Sequence, residues 1–158
     1  MTVTQFIRDK RGRKLRVTVE KNGRLADFSL DDDSERIGKA YCLDEGYGRW
    51  RLQDIEIYED RELLERANLK QSLGSWLRNL FGLGPKFRSN RRHGLGGALL
   101  KVIIAHARHH GAKHIRGSVV QDDLQERPWL IPFYEKHGFK RVTHEPGDIS
   151  DVVVRIDL

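Results

Sequence analysis

Two short stretches carry residue types that can do chemistry together: RRHGLGGALL at 91–100 and PFYEKHGFKRV at 132–142. In the first, Gly94, Gly96 and Gly97 lack the Cβ atoms that would hold an anion away from the backbone. The first turn of a helix leaves N–H groups without intrahelical partners and carries the positive end of the peptide dipoles, which suits phosphate oxygens. Arg91 and Arg92 add forked cationic donors beside that turn, with His93 and Leu95 in the same run. The chemistry on offer is the holding of a diphosphate; the alternative is a tight strand-to-helix turn. In the second stretch Tyr134 is a phenol, protonated at neutral pH and able to act as a general acid, the alternative being packing on an amphipathic helix. A Walker-type nucleotide site is excluded because no Gly-Lys-Ser/Thr ending is present. A dinucleotide fold is disfavoured, since no acidic residue follows at the offset of about 20 residues that a ribose contact needs.

These groups must be positioned by surrounding elements. Leu95, Leu99, Val102 and His106 recur at helical spacing, Ile103 fills the same side, and Gly111 is a natural stop. The first half of the chain alternates as a β-meander. RKLRVTVE and RLADFSL flank Asn22-Gly23, a strong hairpin signal, and DDDS at 31–34 and DEGYG at 44–48 mark further turns. Later strands are predicted over 35–43 and 49–58. In the last of these Trp50 and Leu52 share one parity while Ile55 and Ile57 share the other. That slip near Gln53 and Asp54 predicts a β-bulge or a strand buried on both faces. Residues 60–89 read as helical: Leu63, Leu64, Ala67, Leu73, Trp76, Leu77, Leu80 and Phe81 fall largely on one face, and Gly82, Gly84 and Pro85 end it.

Arg91-x-x-Gly94-x-Gly96 resembles the acetyl-CoA pyrophosphate motif of the GNAT superfamily of N-acetyltransferases, and Phe133-Tyr134-Glu135-Lys136-His137-Gly138-Phe139 resembles that family's second motif. Both stand in the family's order and at about its separation. The resemblance runs from about residue 49 to the C terminus, apart from 60–89. It implies an α/β (α+β) fold: a mixed, mostly antiparallel central sheet of about six or seven strands, splayed between the fourth and fifth, with flanking helices and a helical insertion before the pyrophosphate helix. It implies acetyl-CoA as cosubstrate, its pyrophosphate over Arg91, Arg92, His93, Gly94, Leu95, Gly96 and Gly97. The backbone at Ile57 and Tyr58 would bind the pantetheine arm almost as an added strand, and an amide there would hold the oxyanion.

Tyr134 would then protonate the departing thiolate. Glu56 and Asp54 lie on the strand where family members often carry a catalytic carboxylate, although each also reads as a solvated strand carboxylate. The implied reaction is transfer of acetyl from acetyl-CoA directly to an acceptor amine, of a small molecule or of a protein or peptide. The alternative is a catalytically silent acyl-CoA-binding or nucleic-acid-associated module on the same fold. Four features depart from the family. Only the Asn22-Gly23 hairpin stands where most members place one or two helices, and the insertion at 60–89, where members have a short connection, is predicted to fold over the cleft instead, the alternatives being an ordinary core-packing amphipathic helix or a partner or dimer surface. Arg127 replaces a frequent asparagine, and Pro132 favours a late helix start.

At 158 residues and 18.4 kDa the chain is read as one domain over 1–158, with 38% hydrophobic and 33% charged residues giving a globular rather than a disordered balance. Cys42 stands alone, excluding an intrachain disulfide; it sits in a strand pattern without a basic activator and reads as a small core residue. With no signal-peptide core and no apolar run of spanning length, a cytoplasmic location and no membrane partner are expected. The net charge of +6 and a pI near 9.6 favour anionic ligands. The basic cluster Arg8, Lys10, Arg11, Arg13, Lys14 and Arg16 reads as a solvated turn before a strand, the alternative being a patch for RNA or an acidic partner, which no stacking aromatics accompany. A homodimer stays open. His106, His109, His110 and His114 have ligand-like spacing without acidic companions, so no metal is expected and a solvent-facing cluster favouring the helix dipole is the simpler reading.

Overall fold

Leu15, Val17 and Val19 alternate with polar residues, as do Ala26, Phe28 and Leu30, so two strands joined at Asn22-Gly23 present one apolar face between them. The computed structural model describes residues 2–33, 35–58, 94–142 and 152–158. In it that pair belongs to an eight-stranded sheet of order β1-β2-β3-β4-β5-β6-β8-β7. The strands are β1 (Thr2–Arg8), β2 (Lys14–Asn22), β3 (Leu25–Asp32), β4 (Glu35–Gly46), β5 (Arg49–Ile57), β6 (His114–Val119), β7 (Lys140–Val142) and β8 (Val152–Asp157). Helix α1 (Leu95–His109) precedes β6, and two short helices, α2 (Gln121–Glu126) and α3 (Leu130–Lys136), follow it. Strands β1 to β5 form an antiparallel meander, β5 pairs with β6 in parallel, and β8 runs antiparallel to both β6 and β7.

Eight strands exceed the six or seven expected, and the strand missing from the sequence reading is β1. It pairs with β2 along its whole length, from Thr2 opposite Glu20 to Arg8 opposite Lys14, yet every residue but Ile7 is exposed. A strand held by backbone hydrogen bonds at a sheet edge buries no apolar row, so no alternation announces it. The strand predicted over 49–58 is therefore the fifth.

The parity slip in β5 is a bulge. Tyr41 faces Asp54 but Cys42 faces Leu52, leaving Gln53 unopposed. One extra residue turns Ile55 and Ile57 onto the face already occupied by Trp50 and Leu52, opposite Ala40 and Gly38, and sends Asp54 and Glu56 to the other face opposite Tyr41 and Lys39.

The apolar face is covered by α1, whose Leu95, Leu99, Leu100, Val102, Ile103 and Ala107 are buried. Each fully buried Leu or Ile contributes about 1.5–3 kcal/mol. Trp50, 1% exposed, fills the space under the helix C-terminal half, where His106 meets it edge-on at 5.9 Å and Phe28 at 5.4 Å. This corrects the reading of the histidines. His109 and His110 are exposed, but His106 is wedged between rings; burial first, then the charges of His110, Lys21 and His109, lower its pKa to about 4. It is neutral near pH 7 and adds nothing to the helix dipole. Cys42 is buried, its thiol pushed up to about 12 by burial. No helix among the described residues is long and apolar enough to cross a membrane. The predicted insertion at 60–89 lies outside the described residues.

Candidate active site

Strands β5 and β6 pair only from Arg49 opposite His114 to Leu52 opposite Gly117, and the pairing ends where the bulge begins. A bulge adds local twist, which carries the rest of β5 away from its parallel neighbour. The result is a cleft of about 2220 Å³, larger than the roughly 300–1,000 Å³ of a typical small-ligand site, running between the splayed strands and the start of α1. Tyr58 N–H donates to the Ile37 carbonyl at 2.8 Å, toward β4. Because N–H groups alternate in direction along a strand, the Ile57 N–H points the other way, into the gap. Of the two backbone positions singled out in the sequence, Ile57 thus has its N–H on the cleft side, and the Tyr58 N–H is engaged within the sheet.

The start of α1 forms the next wall. Gly94 is its N-cap in the left-handed region, φ 77°, with no capping side chain and no acidic residue in the first turn. Ala98 N–H, bonded to the Gly94 carbonyl at 2.9 Å, opens the helical ladder, which leaves the N–H groups of Leu95, Gly96 and Gly97 without intrahelical acceptors. Helix α3 closes on this turn. A Cβ at Gly97 would stand 2.6 Å from His137 Nε2, and one at Gly96 would stand 3.7 Å from the Phe133 ring. The His137 ring is fixed by Nδ1, which donates to the Phe133 carbonyl at 2.8 Å, so Nε2 is the nitrogen turned toward Gly97. Arg91, Arg92 and His93 lie outside the described residues.

Helix α3 begins at Leu130, two residues before Pro132, whose missing N–H falls in the first turn where no acceptor exists. This places Tyr134 in the cleft wall, 8% exposed, its hydroxyl without a hydrogen-bond partner among the described residues. Burial, then the charges of Asp54, Cys42 and Asp123, push the phenol up to about 12. Asp54 and Glu56 line the same cleft, two residues apart on one face of β5. Asp54 is open to the cleft, yet desolvation, a hydrogen bond with Glu56 and the charge of Glu56 raise its pKa. For Glu56 burial acts upward but is outweighed by hydrogen bonds from Asp54 and Lys39 and by the Lys39 charge, and its pKa is lowered. Lys39 Nζ stands 3.2 Å from Glu56 Oε2. The two carboxyls are thereby driven apart: Glu56 is held as the anion of an ion pair, and Asp54 is the more basic of the two.

The structure also brings in residues that the sequence reading leaves aside. Arg8 and Lys10, assigned to a solvated turn, line the cleft beside Gly94, and Asp123 and Glu126 of α2 line it together with Arg127 just after that helix. Nothing local marks Lys10 for this place; the contact spans more than eighty positions of sequence.

Residues 87–139 match the sequence model of the Acetyltransferase (GNAT) family, a segment holding the open helix start and Tyr134. Solved structures of that family share the fold. The GNAT domain of S. lividans PAT superposes with a TM-score of 0.65 at 11% identity, over 98% of this chain and 97% of that one. Family model and fold point to the same relatives, the GNAT acetyltransferases. A GNAT family acetyltransferase from Elizabethkingia anophelis with acetyl-CoA bound gives 0.57 at 14% identity, over 85% and 77%. PaiA N-acetyltransferase from Thermoplasma acidophilum, in complex with coenzyme A, gives 0.56 at 16%, over 85% of this chain and 62% of its own length. At such identities the likeness is one of fold. No curated protein matches the chain by sequence. The splay between β5 and β6 is the one expected between the fourth and fifth strands, shifted in number by β1.

Proposed function

We propose that the chain transfers an acetyl group from acetyl-CoA directly to an amine. The observation that carries this reading is the juxtaposition, in one cleft, of a helix start without a capping side chain, a strand edge splayed from its neighbour and a largely buried phenol that has no hydrogen-bond partner among the described residues. The N–H groups of Leu95, Gly96 and Gly97 receive the diphosphate, with Arg91 and Arg92 preceding them in the sequence. The outward edge of β5 at Ile57 receives the pantetheine arm, and its N–H meets the charge that develops on the thioester oxygen. A single donor of that kind contributes about 3 kcal/mol. Acetyl-CoA supplies the acyl group and a thiolate leaving group.

Asp54 accepts the proton that the acceptor nitrogen loses as the new C–N bond forms, and Tyr134 gives its proton to the sulfur as the C–S bond breaks. The two transfers are coupled electrostatically. The Asp54 charge is one of the groups holding the Tyr134 pKa up, so neutralising Asp54 makes the phenol more acidic at the moment the thiolate departs. Glu56 stays paired with Lys39 and keeps Asp54 basic.

The test is calorimetric titration with acetyl-CoA, followed by thiol release with a panel of small amines, peptides and tRNA. Saturable binding and amine-dependent release support the reading. Absence of acetyl-CoA binding overturns it, and binding without release for any acceptor points to a silent acyl-CoA-binding module.

A further inference from the structure

The turn between β1 and β2 is built more firmly than a chain reversal requires. The Asp9 carboxylate accepts the backbone N–H groups of Arg11 at 2.8 Å and Arg13 at 2.9 Å and the Arg13 Nε at 3.1 Å. Arg13 in turn reaches Asp32 at 2.7 Å, tying the turn to the end of β3. Asp9 is 8% exposed, and Gly12 takes φ 79° to close the loop. Arg8 is committed to the same turn, donating to the Gly12 carbonyl at 2.9 Å. The residue these bonds present is Lys10. Its side chain lies across the start of α1, with Cε, Cγ and Cδ 3.2, 3.4 and 3.6 Å from where a Cβ on Gly94 would stand.

An ammonium beside the positive end of a fifteen-residue helix is unfavourable by itself. No carboxylate pairs with Lys10 among the described residues, and the first turn of α1 holds no acid that would offset the charge. A dianion seated between them relieves both. We propose that Lys10, held by the Asp9 turn, is a phosphate-binding residue of the cofactor site, closing on the diphosphate from the sheet side while the α1 amides hold it from the helix side. This rests on the acetyl-CoA reading above. It adds a cation from the N-terminal hairpin to a cradle otherwise read from residues 91–97.

The experiment compares wild type, Lys10→Met, which keeps the apolar stem without the charge, and Lys10→Arg, which restores a cation. Calorimetry gives the acetyl-CoA Kd for each, inorganic pyrophosphate is titrated as a competitor, and thermal melts check folding. Lys10 is exposed, so all three are expected to melt alike. Loss of one charge-assisted hydrogen bond predicts a Kd about 10- to 100-fold weaker for Lys10→Met, with pyrophosphate competition weakened in parallel and Lys10→Arg close to wild type. Binding by Lys10→Met within about twofold of wild type overturns the inference and leaves the acetyl-CoA reading standing. Weakened acetyl-CoA binding with unchanged pyrophosphate competition overturns the diphosphate assignment. Failure of wild type itself to bind acetyl-CoA overturns the reading on which the inference rests.

Discussion

Tyr134→Phe removes a single oxygen from the cleft wall, and its effects on stability and on rate are expected to separate. The hydroxyl is in a residue 8% exposed and has no partner among the described residues, so no hydrogen bond to those residues is lost with it. The ring contacts, to Phe133 and to Phe139, each at 5.4 Å between centroids, survive the change. Stability is therefore expected within about 1 kcal/mol of wild type, on the stabilising side if the hydroxyl is desolvated without compensation. The rate should respond differently. A positioned general acid supplies about 10²- to 10⁴-fold, which at 1.36 kcal/mol per tenfold is about 2.7–5.4 kcal/mol of barrier. Thiol release at saturating acetyl-CoA, the acetyl-CoA Kd and the melting temperature together read these effects. A hundredfold or greater loss of kcat with unchanged Kd and melting temperature is the expected pattern. A variant that binds acetyl-CoA fully and retains kcat within about threefold would refute the role given to the phenol.

Further outcomes follow from the same geometry. A base works deprotonated, so kcat/KM should rise with pH through a pKa above the usual carboxylate value; Asp54→Asn should abolish that limb, and Glu56→Gln should move it to lower pH by removing the bond and charge that raise Asp54. A limb unchanged in Asp54→Asn would assign the base elsewhere. His106 is lowered from 6.5 to about 4 in the folded protein, so its neutral form stabilises the fold above pH 6.5 and that stability is lost as pH falls toward 4. Allowing for solvent around the half-buried ring, the loss is about 1–2 kcal/mol, and His106→Leu should reduce it, measured by urea unfolding across that range. An equal acid loss in the variant would show that the ring titrates normally. Gly38 faces Ile57 across the β4–β5 pair, where a Cβ would stand 2.9 Å from Ile57 Cδ1 and 3.0 Å from the Glu56 carbonyl oxygen. Gly38→Ala is expected to lower stability by about 1–3 kcal/mol in urea titration; a neutral result would mean that β5 moves freely at the splay.

Much of the cleft wall proposed for the donor was legible because it is local. A glycine-rich start, helical spacing after it and a phenol on a following helix are each set by residues within a few turns, and the β5 bulge shows as a change of parity within nine residues. The β1 strand was not legible, since its pairing with β2 stabilises it through backbone bonds and leaves almost no apolar pattern. The histidines were misread for a related reason: helical spacing puts His106 on the apolar stripe, but only packing against Trp50 and Phe28 shows that its ring is desolvated and neutral. Sequence alone thus determined the meander after β1, the place of the helix start and the residue types offered for holding a phosphate or giving a proton. Tertiary structure decided which of them meet. The bulge at Gln53 sends Asp54 and Glu56 to the face away from Trp50, the Asp9 turn swings Lys10 onto Gly94, and the Tyr134 pKa is raised in part by Asp54 from a separate element. Electrostatic coupling falls with distance in space, and only the folded chain brings positions so far apart in sequence within its range.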